Sequence, residues 1–247
     1  MGQQLANQVM LVTGAGSKIG RQSATLLAQS GAKIVAADLK SDALTRTVTT
    51  LKAAGYDAIA VPTNTLVAND VNYLVTTAKQ HFGRLDGLIT HAGLPDHLIA
   101  PETFGDKLWD QVTAINTASV RLITQAVTPL FSDQQHGIIV NVATVGPVTD
   151  DQAQTAYTAT KRAVTTLTKR LAHQTAKQGL RVNAITPGNI QADIVEPLRV
   201  HEAQVAGDLK VVTKTSDAVA QAVLFLASER SHDVNGMVMA VDRGWTH

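Results

Sequence analysis

Residues 12–20 read Val-Thr-Gly-Ala-Gly-Ser-Lys-Ile-Gly and follow directly on the first apolar run of the chain. Glycines let the backbone turn sharply and approach a pyrophosphate closely. The helical pattern that begins at Ile19 would then present free N–H groups and a partial positive charge to the anion. The stretch therefore predicts a strand, a phosphate-binding turn and a helix in succession.

Short apolar runs alternate with longer helical patterns along the whole chain. The apolar runs cover residues 9–12, 33–37, 58–61, 85–89, 137–142, 181–185 and 237–241. The helical patterns cover residues 19–30, 41–54, 66–81, 104–130, 155–178 and 217–228. Runs that are apolar on both faces are typical of a parallel sheet covered on both sides. The sequence thus predicts an α/β fold, a Rossmann-like doubly wound parallel sheet of about seven strands with helices on both faces.

The composition favours one cytoplasmic domain. The 247 residues are 45% hydrophobic, which suffices for a single core, so we expect one dinucleotide-binding and catalytic domain over residues 1–247. A net charge of +1 argues against nucleic-acid or membrane partners, and the lack of cysteine excludes disulfides and thiolate catalysis. No secretory pattern and no membrane-crossing run is present, so a cytoplasmic location is expected. Only 17% of residues are charged, which favours an oligomer.

Asp38 ends the second apolar run, about 20 residues beyond the glycine-rich turn, the spacing expected of the acid that binds the adenosine ribose. A carboxylate accepts a hydrogen bond from the ribose 2′-OH and repels a 2′-phosphate, so Asp38 favours NAD over NADP. The alternative is a solvated aspartate in a turn.

Tyr157 and Lys161 are four residues apart in a predicted helix, which places both side chains on one face. A tyrosine ordinarily has a pKa of about 10 and is a poor acid or base near neutrality. A nearby ammonium favours the phenolate and lowers that pKa, which makes proton transfer feasible.

These residues belong to a constellation that runs through nearly the whole chain. It comprises the turn at residues 13–20, Asp38, His91-Ala92-Gly93, Asn116, the run at residues 141–144, Tyr157 with Lys161, and the run at residues 183–188. In this order they resemble the short-chain dehydrogenase/reductase family in its usual form of about 250 residues. The resemblance implies hydride transfer between a nicotinamide cofactor and a small-molecule carbonyl or alcohol substrate, with no metal.

The resemblance implies a role for four catalytic residues. Tyr157 would be the general acid/base, and Lys161 would bind the nicotinamide ribose and lower the tyrosine pKa. Thr144 would hydrogen-bond the substrate oxygen where the family usually has serine. Asn116 would hold a water molecule that links Lys161 to solvent.

The resemblance also implies a set of cofactor contacts. Asn64 and Thr65 would lie by the adenine, Ala92 and Gly93 by the adenosine ribose, and Ile190 by the carboxamide. The full set is Gly14, Ser17, Lys18, Ile19, Asp38, Leu39, Asn64, Thr65, Ala92, Gly93, Tyr157, Lys161, Pro187, Gly188 and Ile190.

Several positions depart from the family pattern. Lys18 replaces the middle glycine of the turn and either contacts a phosphate, which would also admit NADP, or is solvated. Thr144 keeps the serine hydroxyl, and Asn64 keeps an acceptor oxygen where aspartate is usual. Thr90-His91 replaces two asparagines that mostly stabilise the strands, so a buried, satisfied His91 is favoured over a catalytic one.

Substrate identity is not encoded in these motifs. We expect a substrate lid around residues 189–215, with His97 either lining the pocket or solvated. The long helical patterns resemble the family's dimer-forming pair, so a homodimer or homotetramer is expected. A cofactor-binding sensor or scaffold without turnover is the alternative function, because Lys18 and Asn64 depart from the pattern.

Overall fold

The computed structural model describes residues 3–39, 42–91, 93, 105–143, 155–188 and 215–242. Within these residues one sheet contains β1 (Val9–Thr13), β2 (Lys33–Asp38), β3 (Ala58–Pro62), β4 (Gly87–Thr90), β5 (Gly137–Val142), β6 (Leu180–Pro187) and β7 (Val238–Val241). All neighbouring strands are parallel, in the order β3-β2-β1-β4-β5-β6-β7. The predicted doubly wound sheet is confirmed.

Helices occupy the intervals between the strands in the described part of the chain. They are α1 (Lys18–Gln29), α2 (Asp42–Ala53), α3 (Ala68–Phe82), α4 (Asp106–Thr113), α5 (Ser119–Gln134), α6 (Thr155–Thr175) and α7 (Thr215–Ala227). The single helix predicted over residues 104–130 corresponds to a continuous helical stretch from Asp106 to Gln134, in which a π-helical turn at Ala114–Ala118 separates α4 from α5. None of the helices described here has the length and apolar character needed to cross a bilayer.

Each face of the sheet carries its own hydrophobic core. Alternate side chains of β1 and β2, among them Val12 and Ile34, pack against α1, α2 and α7. The other set, among them Leu11 and Val35, packs against α3 and α5. This two-sided burial explains why the strands are apolar at successive positions.

The carboxyl ends of the central strands are joined by side-chain hydrogen bonds. Thr90 in β4 pairs with Asn141 in β5, and its hydroxyl donates to Asn141 Oδ1 at 2.9 Å. Asn141 Nδ2 in turn donates to Thr168 Oγ1 of α6 at 2.9 Å. These bonds fix α6 against β4 and β5, next to the point between β1 and β4 where the strand order reverses. Doubly wound sheets bind their ligands at this edge.

A buried carboxylate joins β1 to the residues just before β4 at the opposite, amino edge. Asp86 is fully buried, and its Oδ2 accepts the Val9 N–H at 2.8 Å. Arg84 donates to both carboxylate oxygens, from Nε at 3.0 and 2.9 Å and from Nη2 at 2.6 Å. This ion pair raises the pKa of Arg84 through its hydrogen bonds and charge interaction with Asp86.

We expect Asp86→Ala to lower the free energy of unfolding by about 3 kcal/mol, because it leaves a buried N–H and a guanidinium without their acceptor. Urea denaturation at pH 7 measures the loss. Asp57→Ala is the matched control, because Asp57 is exposed. Equal unfolding midpoints for the two variants would show that the contacts of Asp86 do not contribute to the free energy of unfolding.

Candidate active site

The glycine-rich turn between β1 and α1 is closed by Ser17. Ser17 Oγ accepts the Gly20 N–H at 3.0 Å and donates to the Gly14 carbonyl at 2.7 Å, which makes Ser17 the N-cap of α1. Gly14 has a φ of 65°, a conformation that favours glycine. Lys18 is exposed at the first position of the helix, followed by buried Ile19, and the first turn of α1 contains no acidic residue. The turn therefore leaves a positive helix end facing the sheet edge.

A glycine is required at the third glycine position of this turn. A Cβ atom on Gly20 would collide with the Gly14 carbonyl oxygen. The strand and the helix can approach each other this closely only without a side chain there. The close approach keeps the start of α1 directly beyond the carboxyl end of β1.

The Asp38 carboxylate is bound to this turn. Asp38 lies half-buried at the end of β2, and its Oδ2 accepts the Gly16 N–H at 2.8 Å. Its Oδ1 accepts the N–H of Leu39, which is exposed, at 2.8 Å. Each oxygen therefore keeps a lone pair for a further donor. The side chain is fixed in position and is not a freely solvated turn residue.

The end of β3 is shaped by an aspartate that sequence reasoning missed. Asp70, in the first turn of α3, accepts the Asn64 N–H at 3.0 Å. Asn64 Oδ1 accepts the Leu66 N–H at 3.0 Å, and Thr65 lies half-buried between them. An aspartate shortly after a strand end is the signal that could have identified this turn.

Tyr157 and Lys161 lie on one face of α6, as their spacing predicts. Lys161 Nζ is 5.8 Å from the centroid of the Tyr157 ring and donates to the Val142 carbonyl at 3.3 Å. Both residues are buried, with 3% of Lys161 exposed. Burial lowers the pKa of Lys161 to about 8.

The π-helical turn places Asn116 beside the same helix. Asn116 is fully buried, and its Nδ2 donates to Thr160 Oγ1 at 3.1 Å. A single π turn adds a residue to the helix and often occurs at functional sites. Neither apolar periodicity nor propensity distinguishes it from a regular helix, so sequence reasoning missed it.

Gly93, beyond the end of β4, lies between these groups. A Cβ atom there would lie 2.8 Å from Lys161 Nζ and 3.4 Å from Asn116 Oδ1. The lysine ammonium and the amide oxygen therefore converge on one point. Any larger residue at position 93 would displace them.

His91 is half-buried, and both of its ring nitrogens are buried but not satisfied. Among the described residues neither ring nitrogen has a hydrogen-bond partner. Burial, and secondarily the charge of Lys161, lowers the pKa of His91 to about 3. The imidazole is therefore neutral, and its two ring nitrogens are one donor and one acceptor.

Pro187 and Gly188 close the site at the end of β6. Both are buried, and the Gly188 N–H donates to the Val241 carbonyl of β7 at 3.0 Å. A Cβ atom on Gly188 would lie 2.8 Å from the Asp242 Cα. The remaining expected contacts lie outside the described residues, namely Ala92, His97, Thr144, Ile190 and nearly all of the lid at 189–215. Within the described chain no cluster of three potential metal ligands occurs.

The buried ring nitrogens of His91 predict a pH dependence of stability. The folded chain keeps His91 neutral down to about pH 3, whereas the unfolded chain protonates it near pH 6.5. The unfolded state binds more protons between these values, so stability is lost as the pH falls from about 6.5. Between pH 7 and pH 5 we expect the wild-type chain to lose about 2 kcal/mol more than His91→Asn, as measured by urea denaturation.

The matched control is His173→Asn, because His173 is exposed on α6. This variant should retain the wild-type pH dependence. If His91→Asn and the wild-type chain lose stability in parallel, His91 does not stay neutral in the folded protein.

Comparisons with known proteins agree with this fold. The family profile described as short chain dehydrogenase matches residues 8–203. 3beta-hydroxysteroid dehydrogenase 2 of Eggerthella lenta is 32% identical over 251 residues, covering 98% of this chain and 96% of that protein. The crystal structure of levodione reductase superposes with a TM-score of 0.88 at 28% identity, over 97% of this chain and 98% of that one.

A second solved structure contains a nicotinamide cofactor. A variant of actinorhodin polyketide ketoreductase, crystallised with NADPH, has a TM-score of 0.87 at 26% identity and covers 99% of both chains. The matched length, the sheet order and the placement of the Tyr/Lys helix lead to one assignment. The chain belongs to the short-chain dehydrogenase family, a family of oxidoreductases that act on CH–OH and C=O groups.

Proposed function

We propose that this chain binds a nicotinamide dinucleotide, NAD in preference to NADP, across the carboxyl edge of its sheet. It transfers a hydride between that cofactor and a small-molecule carbonyl or secondary alcohol, with Tyr157 as general acid/base. The observation that carries the proposal is the convergence of Lys161 and Asn116 at Gly93, with Lys161 Nζ also 5.8 Å from the centroid of the Tyr157 ring.

The turn at the start of α1 fits a pyrophosphate. The helix N-terminus is capped by Ser17 and carries no acidic side chain in its first turn. Lys18 adds a positive charge at the same end, and Gly14 and Gly20 bring the backbone close. Backbone N–H groups, the helix dipole and an ammonium together favour an anion at this position.

Asp38 fits the ribose end of an NAD molecule. It lies at the end of β2 and is held by the Gly16 and Leu39 N–H groups, which leave lone pairs on both oxygens. A ribose 2′-OH could donate to either oxygen, whereas a 2′-phosphate would meet a fixed negative charge. Leu39 and Leu66 are 60% and 41% exposed and offer apolar surface for the adenine, with Asn64 and Thr65 beside them.

The nicotinamide end fits the space at Gly93, although the resemblance implies a place for Gly93 by the adenosine ribose. Position 93 bears no side chain, and Lys161 Nζ and Asn116 Oδ1 both face it. The buried nitrogens of His91 have no partner among the described residues, so a polar ligand at this edge would satisfy them. Pro187 and Gly188 would border the ring from β6. We propose that Ala92 and Ile190 also contact the cofactor.

The bound cofactor supplies the hydride, and the protein supplies orientation and proton transfer. In reduction Tyr157 donates its phenolic proton to the carbonyl oxygen, and in oxidation the phenolate accepts the proton of the alcohol. The ammonium of Lys161 stabilises the phenolate, and its pKa of about 8 allows proton exchange near neutrality. Asn116 can hold a water molecule that returns the proton to solvent. Thr144 is proposed to orient the substrate oxygen.

We also propose that the chain forms a homodimer or homotetramer. The edge strand β7 is less buried than the central strands, and Met237 beside it is 41% exposed. A second copy would cover this apolar edge. Static light scattering that returns the mass of a single chain would contradict the proposal.

We expect Tyr157→Phe to reduce kcat by about a thousand-fold, because the variant has no group to exchange the proton. NADH binding, followed by fluorescence titration, should stay within about twofold of the wild type because the phenyl ring is retained. Turnover is measured with a panel of alcohols and carbonyl compounds and with both cofactors.

Tyr73→Phe serves as the control, because Tyr73 is 64% exposed on α3. Full activity in Tyr157→Phe would remove the proposed acid/base. Cofactor binding by the wild-type chain without turnover of any compound would instead favour a sensor.

We expect Asp38→Ala to lower the ratio of NAD to NADP affinity by about tenfold or more, because it removes both the ribose acceptor and the charge that repels a 2′-phosphate. Loss of the Gly16 contact should weaken binding of both cofactors, so the ratio is the measured quantity. Asp57→Ala is the control. An unchanged ratio would show that Asp38 does not contact the ribose.

A further inference from the structure

Thr160 lies between the two catalytic residues of α6, and its side chain is turned inward. The residue is 5% exposed. Its hydroxyl donates to the Tyr157 carbonyl at 2.9 Å and accepts the Asn116 Nδ2 at 3.1 Å. Thr117 Oγ1, in the π-helical turn, donates to the Thr160 carbonyl at 3.4 Å. Thr160 thus connects the π-helical turn to the first turns of α6.

The hydroxyl has only one proton to donate. The Tyr157 carbonyl can only accept, so the Thr160 proton is directed to it. Toward Asn116 the hydroxyl can then only accept, which requires the NH2 group of the amide to face Thr160. Because the NH2 end of the Asn116 amide faces Thr160, the oxygen end must point away from Thr160.

The oxygen end of the amide and the lysine ammonium lie beside the same residue, Gly93. Asn116 Oδ1 and Lys161 Nζ lie 3.4 and 2.8 Å from the same point, the position of a Cβ atom on Gly93. An ammonium is a donor only, so an amide oxygen stabilises it directly or through one water molecule, whereas an NH2 group would repel it. The orientation of one amide thus affects the charged state of Lys161.

We propose that Thr160 is a positioning residue, whose hydroxyl holds the Asn116 amide with its oxygen toward the Lys161 ammonium. The inference rests on the proposed function, in which the Lys161 ammonium stabilises the phenolate of Tyr157. Among the described residues, the titratable groups that face Lys161 are Tyr157 on α6 and the neutral imidazole of His91 at the end of β4. The imidazole carries no charge that would override the orientation of the amide, and Tyr157 is the group whose ionisation the ammonium favours.

The same helix contains a matched control two turns further on. Thr168 is also fully buried, donates to the Val164 carbonyl at 2.9 Å and accepts Asn141 Nδ2 at 2.9 Å. Its asparagine is bonded to Thr90 and not directed at an ammonium. Loss of either hydroxyl removes a similar buried hydrogen bond, but only Thr160 acts on Lys161.

The test compares Thr160→Val, Thr160→Ser and Thr168→Val. Formation of the Tyr157 phenolate is followed by ultraviolet difference titration against Tyr157→Phe, which subtracts the other two of the three tyrosines. In Thr160→Val the amide can rotate, the ammonium loses the amide oxygen as an acceptor and the phenolate should form at higher pH. In a turnover assay at pH 7 we expect kcat to fall by about tenfold, with cofactor Kd within about twofold.

Thr160→Ser keeps the hydroxyl and should restore the wild-type titration and most of kcat. Thr168→Val should lower the unfolding midpoint as much as Thr160→Val does, without moving the titration. If Thr160→Val does not fold, Thr160→Ala removes the same hydroxyl with less bulk near the amide.

A titration of Thr160→Val or Thr160→Ala that coincides with the wild type would overturn the proposal. So would an equal displacement in Thr168→Val, since the effect would then be structural. If the wild-type chain turns over no compound while the titration still separates the variants as expected, the proposed function fails and the positioning role stands.

Discussion

The site depends on a lysine ammonium held inside the protein at the carboxyl edge of the sheet. Burial lowers the pKa of Lys161 to about 8, and a buried cation persists only where acceptors replace its water. The Val142 carbonyl at the end of β5 is one such acceptor, at 3.3 Å. The Lys161 ammonium is surrounded by the end of β5, by Gly93, which has no side chain, and by Asn116 of the π-helical turn.

The proposed phosphate end of the site likewise depends on a positive charge, here that of a helix end. The N-terminus of α1 provides the positive end of a dipole, and Gly20 lets it lie close to β1. The Asp38 carboxylate accepts the Gly16 N–H at 2.8 Å, so the group proposed to select the cofactor also holds the turn. Cofactor choice and turn geometry are therefore coupled, and substitutions at Asp38 affect both.

The fold could be predicted because its determinants are local. Apolar runs, glycine-rich turns and helical periodicity located all seven strands of the described sheet and most helices. The Tyr157/Lys161 spacing likewise predicted a shared helix face. These features depend on side-chain period and on glycine, which can be read directly from the residues.

The details missed by sequence reasoning depend on contacts between distant segments. The π-helical turn at Asn116 has the composition of an ordinary helix. Its distinguishing contact forms only in the folded chain, where Asn116 bonds to Thr160, 44 residues away. Asp70 binds Asn64 across a turn, and His91 lacks partners among the described residues, although a satisfied histidine was expected. Donor and acceptor matching of this kind exists only once the chain is folded.

The central claim is that the buried ammonium stabilises the phenolate of the neighbouring tyrosine. The most direct measurement is the ultraviolet titration of Tyr157 in the complex with oxidised cofactor, in the wild-type chain and in Lys161→Met. The account predicts that Tyr157 titrates well below the ordinary value of about 10 when Lys161 is present, and at or above that value when it is replaced. Coincident titration curves for the two proteins would contradict it.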